Sequence, residues 1–151
     1  MKKRYGPNGA PVVVQTGASV ILQDQAGRIL MQQRRDDGTW SYPGGRVEID
    51  ETVEEAARRE VFEECGLRVG DMELLGVFSG PELNHVYPSG DEVCCIDIVY
   101  VSRSYTGVLR PLDGEARRIG FYPPDQLPTP ISAMNRPQLN AFLRSIGEAE
   151  L

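Results

Sequence analysis

Scarcity narrows the reading first. The 151 residues hold three cysteines, Cys65, Cys94 and Cys95, together with one histidine and one tryptophan. An odd cysteine count with two of them adjacent is a poor disulfide framework, so the three read as reduced thiols of a cytoplasmic protein. Lys and Arg number 16 against 22 Asp and Glu, a formal net charge of −6. Without clustered cations, a nucleic-acid polymer is excluded as the main partner, because binding a phosphate backbone needs Lys and Arg. A small nucleotide is not excluded, since a divalent cation neutralises carboxylates and phosphates together. No segment approaches the length of a transmembrane helix. The basic start Met1-Lys2-Lys3-Arg4 runs into Gly6-Pro7-Asn8-Gly9 instead of the apolar stretch of a signal peptide. No membrane partner is expected.

What is present is the balance of one globular domain over residues 1–151, with 40% hydrophobic and 25% charged residues. Residues 1–11, rich in Gly and Pro, are expected to be loose. Val12–Leu22 and Arg28–Arg34 read as strands around the turn Asp24-Gln25-Ala26-Gly27. Trp40-Ser41-Tyr42-Pro43-Gly44-Gly45 reads as a rigid, tight loop. Thr52–Cys65 reads as a helix: Thr52 and Glu55 have capping-box spacing, and Gly66 supplies the stop. Val53, Ala57, Val61 and Cys65 form its buried stripe. Met72–Phe78, Val93–Val101 and Arg117–Tyr122 read as strands, with a long loop through Pro81, Pro88 and Gly90, and Arg136–Ile146 as a final helix. The expected class is α+β, with helices either side of a mixed central sheet.

Residues 45–67 carry the chemistry. Gly45, Glu51, Arg59, Glu60, Glu63, Glu64 and Gly66 stand at fixed spacing, with apolar Val61 and Leu67 between and after them. Seven such identities meet at one position by chance with a probability on the order of 10⁻⁹. At about 100° per residue, Glu60, Glu63 and Glu64 share one sector of the helix, with Glu60 and Glu64 beside the buried stripe. Three like charges there repel one another, and a hard divalent cation such as Mg²⁺ or Mn²⁺ removes the conflict through oxygen ligands. Arg59 can pair with Glu63 or Glu51 and orient a carboxylate. Glycines 44 and 45 lack a Cβ, so their backbone can approach metal and phosphate closely.

This string resembles the Nudix box at every fixed position, and the flanking strand order extends the resemblance over about residues 12–146. The resemblance implies an α/β/α sandwich and divalent-metal-dependent hydrolysis of a nucleoside diphosphate linked to another group, releasing a nucleoside monophosphate. By position it implies Glu60 and Glu64 as principal metal ligands and Glu63 as a further ligand or base. It also implies the Gly44 or Gly45 carbonyl as an additional ligand, and Arg59 and Glu51 as orienting partners. A further carboxylate is expected from the loop before the last strand, with Glu115 as the candidate base or ligand, Asp113 as its competitor and Glu48 as an outside candidate.

The base and the leaving group fall to loops 34–42 and 79–92, where Arg34, Tyr42, His85 and Tyr87 are the candidate substrate-binding residues. Trp40 is expected to pack its loop on the core, as are Cys94 and Cys95 on their strand. Pro81, the fourteenth residue after Leu67, leans toward a nucleotide sugar such as ADP-ribose. A pyrophosphatase that sanitises a modified nucleoside triphosphate is the alternative, and a nucleotide sensor without turnover is another. Members of the family often pair, so a homodimer is expected.

Overall fold

The computed structural model describes residues 2–112, 114 and 116–151. Strand β1 (Val13–Leu22) runs parallel to a long strand in the second half of the chain, Glu92–Ser102, in unbroken register from Val13↔Val93 to Leu22↔Ser102. In chain order, β1 is followed by β2 (Ile29–Arg34), β3 (Trp40–Ser41), β4 (Gly44–Arg46) and helix α1 (Val53–Cys65). Then come β5 (Leu67–Val69), β6 (Glu73–Phe78), β7 (Asn84–Val86), β8 (Glu92–Ser102), β9 (Tyr105–Gly107), β10 (Ala116–Tyr122) and helix α2 (Arg136–Ser145).

The largest sheet has the order β4-β1-β8-β6, with β7 also on β8; only the β1–β8 pair is parallel. A second sheet has the order β10-β2-β3, and β5 pairs with β9. Strand β1 explains the layering. Ala18, Val20 and Leu22 belong to a core with Ala57, Val61 and Cys65 of α1. Ile21, between them, belongs to a core with Val99, Trp40 and Leu139, Phe142 and Leu143 of α2. A strand buried on both faces needs consecutive apolar residues, which is why Val20, Ile21 and Leu22 follow one another without alternation. Two helices around a mixed sheet make the expected α+β sandwich. Helix α2 covers the core.

Helix α1 begins and ends where its residues require. The Thr52 hydroxyl accepts from Glu55 N–H, and the Glu55 carboxylate accepts from Thr52 N–H, a complete capping box. Gly66 closes the helix at φ 76°, and a Cβ there would sit 2.9 Å from the Val108 carbonyl.

Two expectations change. The loop expected over 40–45 contains β3 and β4, and the loop after Phe78 contains a 3-10 turn (Pro81–Leu83) and β7. Each strand has two or three residues, too few to show a period. Within residues 1–11, expected to be loose, several contacts reach the fold: Val12 N–H donates to the Arg4 carbonyl at 2.8 Å, Arg4 pairs with Glu92, and Asn8 Nδ2 donates to Asp91 at 2.8 Å.

Candidate active site

Helical periodicity puts Glu60, Glu63 and Glu64 on the side of α1 that faces β4. Glu64 is 8% exposed and its two oxygens are held by different strands. Oε1 accepts from Gln32 Nε2 of β2 at 3.0 Å, and Oε2 accepts from Gly44 N–H of β4 at 2.9 Å. Glu60 and Glu63 turn to Arg59, whose Nη1 donates to Glu60 Oε1 at 2.9 Å and to Glu63 Oε2 at 3.2 Å.

Arg59 engages all five of its N–H groups. Besides these two bonds it donates from Nε and Nη2 to the two Glu51 oxygens, at 2.6 and 3.0 Å, and from Nη2 to the Arg46 carbonyl at 2.9 Å. The expected choice between Glu63 and Glu51 is not made: Arg59 holds both, and Glu60 as well. Its hydrogen bonds to Glu51, then to Glu60, push the guanidinium well above its ordinary range. The Arg59 hydrogen bond, followed by one from the Glu48 backbone, holds the Glu51 carboxyl below the usual carboxylate range. Glu48 itself is exposed, 3.9 Å from Arg59.

The strand register decides between the two glycine carbonyls. In the β1–β4 ladder Ser19 faces Gly44 and Ala18 faces Gly45, and the flanking bonds are Val20 N–H to Pro43 and Val47 N–H to Thr16. Ladder bonds thus fall at 43, 45 and 47, and Gly44 points its N–H and its carbonyl out of the sheet. That open edge carries the Arg46 carbonyl that Arg59 holds. The Gly45 carbonyl points into the sheet, 3.4 Å from where a Cβ on Gly17 would be. A Cβ on Gly45 would overlap the Glu60 carboxylate, and one on Gly44 would overlap the Ser19 side chain.

Among the described residues no three His, Cys, Asp or Glu side chains form a ready-made metal cage. Arg59, Gln32 and Gly44 hold the carboxylates instead. The donor set still fits a hard divalent cation of the Mg²⁺ type, which binds through one or two carboxylates, waters and substrate phosphates and does not require a closed cage.

A cleft of about 970 Å³ leads from these carboxylates, past the Gly44–Gly45 ribbon, to the face of β1 and β8 that looks toward α2. The expected substrate residues all line it, in different ways. Arg34 sits at the rim, paired with Asp36 at 2.7 Å, and this contact holds the Asp36 carboxyl at about 2. His85 and Tyr87 meet edge to face at 4.7 Å, and Gln15 Nε2 donates to the Tyr87 hydroxyl at 3.2 Å. Tyr42 is buried in the floor, where its hydroxyl donates to Asp97 Oδ2 at 2.9 Å. Burial, then the Asp97 charge, pushes the Tyr42 hydroxyl well above its ordinary range. Of the two adjacent cysteines only Cys95 faces the cleft, and burial raises its thiol. Trp40 packs against Tyr122 in the second core, with ring centroids 5.3 Å apart. Glu115 and its competitor Asp113 lie outside the described residues.

Sequence reasoning missed Gln32, which orients Glu64, and the floor built on Asp97. One signal was visible: Asp97 is the single charge inside the apolar run Cys94-Cys95-Ile96-Asp97-Ile98-Val99-Tyr100-Val101. A charge in a two-sided buried strand needs partners, and Asp97 accepts from the Ser19 hydroxyl, the Tyr42 hydroxyl and Gln138 Nε2.

Comparison with known proteins agrees with the geometry. A family model described as the NUDIX domain matches residues 13–143. An ADP-ribose pyrophosphatase of Methanocaldococcus jannaschii is 36% identical over 129 residues, 83% of this chain and 70% of that protein. The mouse 8-oxo-dGDP phosphatase NUDT18 is 34% identical over 120 residues, 76% of this chain and 34% of that protein. The chain spans less than half the length of several curated relatives that it matches. Among solved structures, a MutT Nudix hydrolase of Burkholderia pseudomallei superimposes with a TM-score of 0.70 at 28% identity, covering 83% of this chain and 95% of that one.

Proposed function

Because the chain belongs to the Nudix family, we propose that it is a divalent-metal-dependent hydrolase that cleaves the diphosphate linkage of a small nucleotide and releases a nucleoside monophosphate. The observation that carries this reading is the set of oxygens at the open edge of β4: Glu60, Glu63 and Glu64 with the outward Gly44 carbonyl, at the head of a nucleotide-sized cleft.

Those four residues would hold the cation. When bound, it supplies charge neutralisation at the phosphoryl oxygens and a coordinated water of lowered pKa. The chain's own residues do the positioning. Arg59, braced on Glu51, fixes Glu60 and Glu63 and offsets part of their mutual repulsion. Gln32 and Gly44 N–H fix Glu64. Gly45 leaves room for the Glu60 carboxylate beside the ribbon. Glu63, whose side chain is 53% exposed, is the carboxylate best placed to take a proton from a water in the cleft.

The relatives are named for ADP-ribose and for 8-oxo-dGDP, and what these share is a nucleoside diphosphate. The lean toward a nucleotide sugar drawn from Pro81 loses force, because Pro81 opens a 3-10 turn, a place that suits proline on its own account. A cytoplasmic location and a homodimer remain part of the proposal.

The test is a panel of nucleotide sugars, dinucleoside polyphosphates and modified nucleoside di- and triphosphates with Mg²⁺ or Mn²⁺, with products identified by chromatography. Metal-dependent release of a nucleoside monophosphate is expected, and Glu60→Gln and Glu64→Gln should each lower kcat by roughly a hundredfold. Full activity in both variants, or none in the wild type on any compound, overturns the reading.

A further inference from the structure

A second, smaller cavity of about 560 Å³ adjoins the cleft, and Gln15, Arg46 and Tyr87 line both. Strand alternation explains the connection. Val13, Gln15, Gly17 and Ser19 stand on one face of β1, so the face that carries Ser19 in the cleft continues past Gln15 to Val13. Arg46 is opposite Gly17 as Gly44 is opposite Ser19, so Arg46 stands on that face too, two residues, or roughly 7 Å, along β4 from Gly44. A phosphate next to the one at the carboxylates therefore meets the Arg46 guanidinium, which has no ion pair among the described residues.

Beyond Arg46 the chemistry changes. Arg46 is the single cation among the described residues that line the smaller cavity. Asp91, on the far wall, is held by neutral donors, Asn8 Nδ2 at 2.8 Å and Ser89 Oγ at 3.2 Å, while Glu92 is matched by Arg4. A carboxylate without a cation disfavours an anionic group beside it. The cavity exposes apolar surface at Val13, Pro11 and Pro88, edged by the Gln15 amide, the Tyr87 hydroxyl and Asp91. Amide, hydroxyl and carboxylate acceptors around apolar surface suit a polyhydroxyl ring, which has O–H donors at its rim and C–H on its faces. The wall is also braced. Tyr87 N–H donates to the Asp91 carbonyl at 2.9 Å and Gly90 N–H to the Tyr87 carbonyl at 2.8 Å, closing a tight turn that Gln15 and Asn8 hold from either side.

We propose that this smaller cavity is the subsite of the departing group and that it takes a neutral sugar, so that the substrate is a nucleoside diphosphate sugar. The inference rests on the nucleotide reading above and deepens it. Water adds its oxygen to one phosphorus as the bridging P–O bond breaks. The water's proton passes through Glu63 to solvent, and the bridging oxygen leaves with the second phosphate as a sugar phosphate. Arg46 holds that phosphate, and Gln15, Tyr87 and Asp91 hold the hydroxyls beyond it. A nucleoside triphosphate would instead set its terminal phosphate toward Asp91.

Titration calorimetry into the full chain with Mg²⁺ tests this, using analogues whose α–β bridge is a methylene. ADP-ribose is paired with ATP, GDP-mannose with GTP and UDP-glucose with UTP, and turnover of the parent compounds is measured alongside. In the pair that binds best, the sugar compound is expected to bind tenfold or more tightly than the triphosphate. Val13 is 53% exposed, so Val13→Phe fills the cavity without disturbing the core. It should weaken the sugar compound at least tenfold and the triphosphate less than twofold. Tyr87→Phe removes one hydroxyl and should weaken the sugar compound about three- to tenfold. Equal or tighter binding of the triphosphate in the wild type, or an equal loss of both ligands in Val13→Phe, overturns the proposal. A sugar preference that Val13→Phe abolishes, with no turnover of any parent compound, supports the subsite and overturns the hydrolase reading. Metal-dependent turnover that favours the triphosphates does the reverse.

Discussion

Arg59 joins three carboxylates and a backbone carbonyl through a planar fork, and a lysine cannot copy that geometry with a point charge and three donors. Arg59→Lys should lower kcat roughly 10- to 100-fold while changing KM little, because it loosens groups that act on the phosphates and leaves the floor untouched. Steady-state kinetics on the released monophosphate checks this; a pure KM effect would assign Arg59 to substrate binding. Tyr42 makes a different prediction. Its folded pKa lies above its unfolded value near 10, so its contribution to stability is complete below pH 10 and is lost as pH rises beyond that. Tyr42→Phe should cost about 1.5–3 kcal/mol at pH 7, since the half-buried Asp97 carboxylate loses a donor. The decline in the urea midpoint between pH 10 and 11 should then be shallower than in the wild type. It should not vanish, because burial and Glu54 also raise the Tyr100 hydroxyl. Much at this scale was legible beforehand: Glu60, Glu63, Glu64 and Arg59 were marked by spacing. Gln32 and Gln138 were not, because an amide becomes informative only when its partners are known.

At the scale of elements, legibility followed length. Helix α1 showed its caps, its period and its stop, and the structure starts it at Val53 behind the Thr52 cap. Thr52→Ala should therefore cost about 1 kcal/mol in urea unfolding while changing kcat less than about twofold, since the cap lies at the opposite end of the helix from Glu63 and Glu64. A large loss of kcat at unchanged stability would instead tie the cap to the adjacent Glu51. Strand β4 was invisible because Gly44-Gly45-Arg46 has no side-chain alternation. Yet the register of β4 on β1 turns the Gly44 carbonyl out of the sheet and the Gly45 carbonyl into it, and only that pairing reveals the difference.

For the whole molecule, the class could be read from the order of elements. The parallel pairing of β1 with β8, about eighty residues apart in the chain, could not, since apolar runs announce burial without naming a partner. Metal should act on the whole molecule as well. A cation that binds only the folded state raises stability by roughly 2.7 kcal/mol at a free concentration a hundred times its Kd. Added Mg²⁺ should raise Tm by several degrees in the wild type and by much less in Glu60→Gln, and EDTA should abolish turnover while leaving far-UV circular dichroism unchanged. An equal rise of Tm in the two proteins would move the metal elsewhere.

Ser19 touches both ends of the cleft at once, donating to Asp97 while its side chain lies against Gly44. One rigid strand residue thus sets the span from the floor to the carboxylates. On the proposed function, a nucleotide in the cleft would be measured by that span: the number of phosphates between sugar and scissile bond would have to match it. A homologue with a shifted floor would be expected to cut at a different phosphorus even with every carboxylate in place.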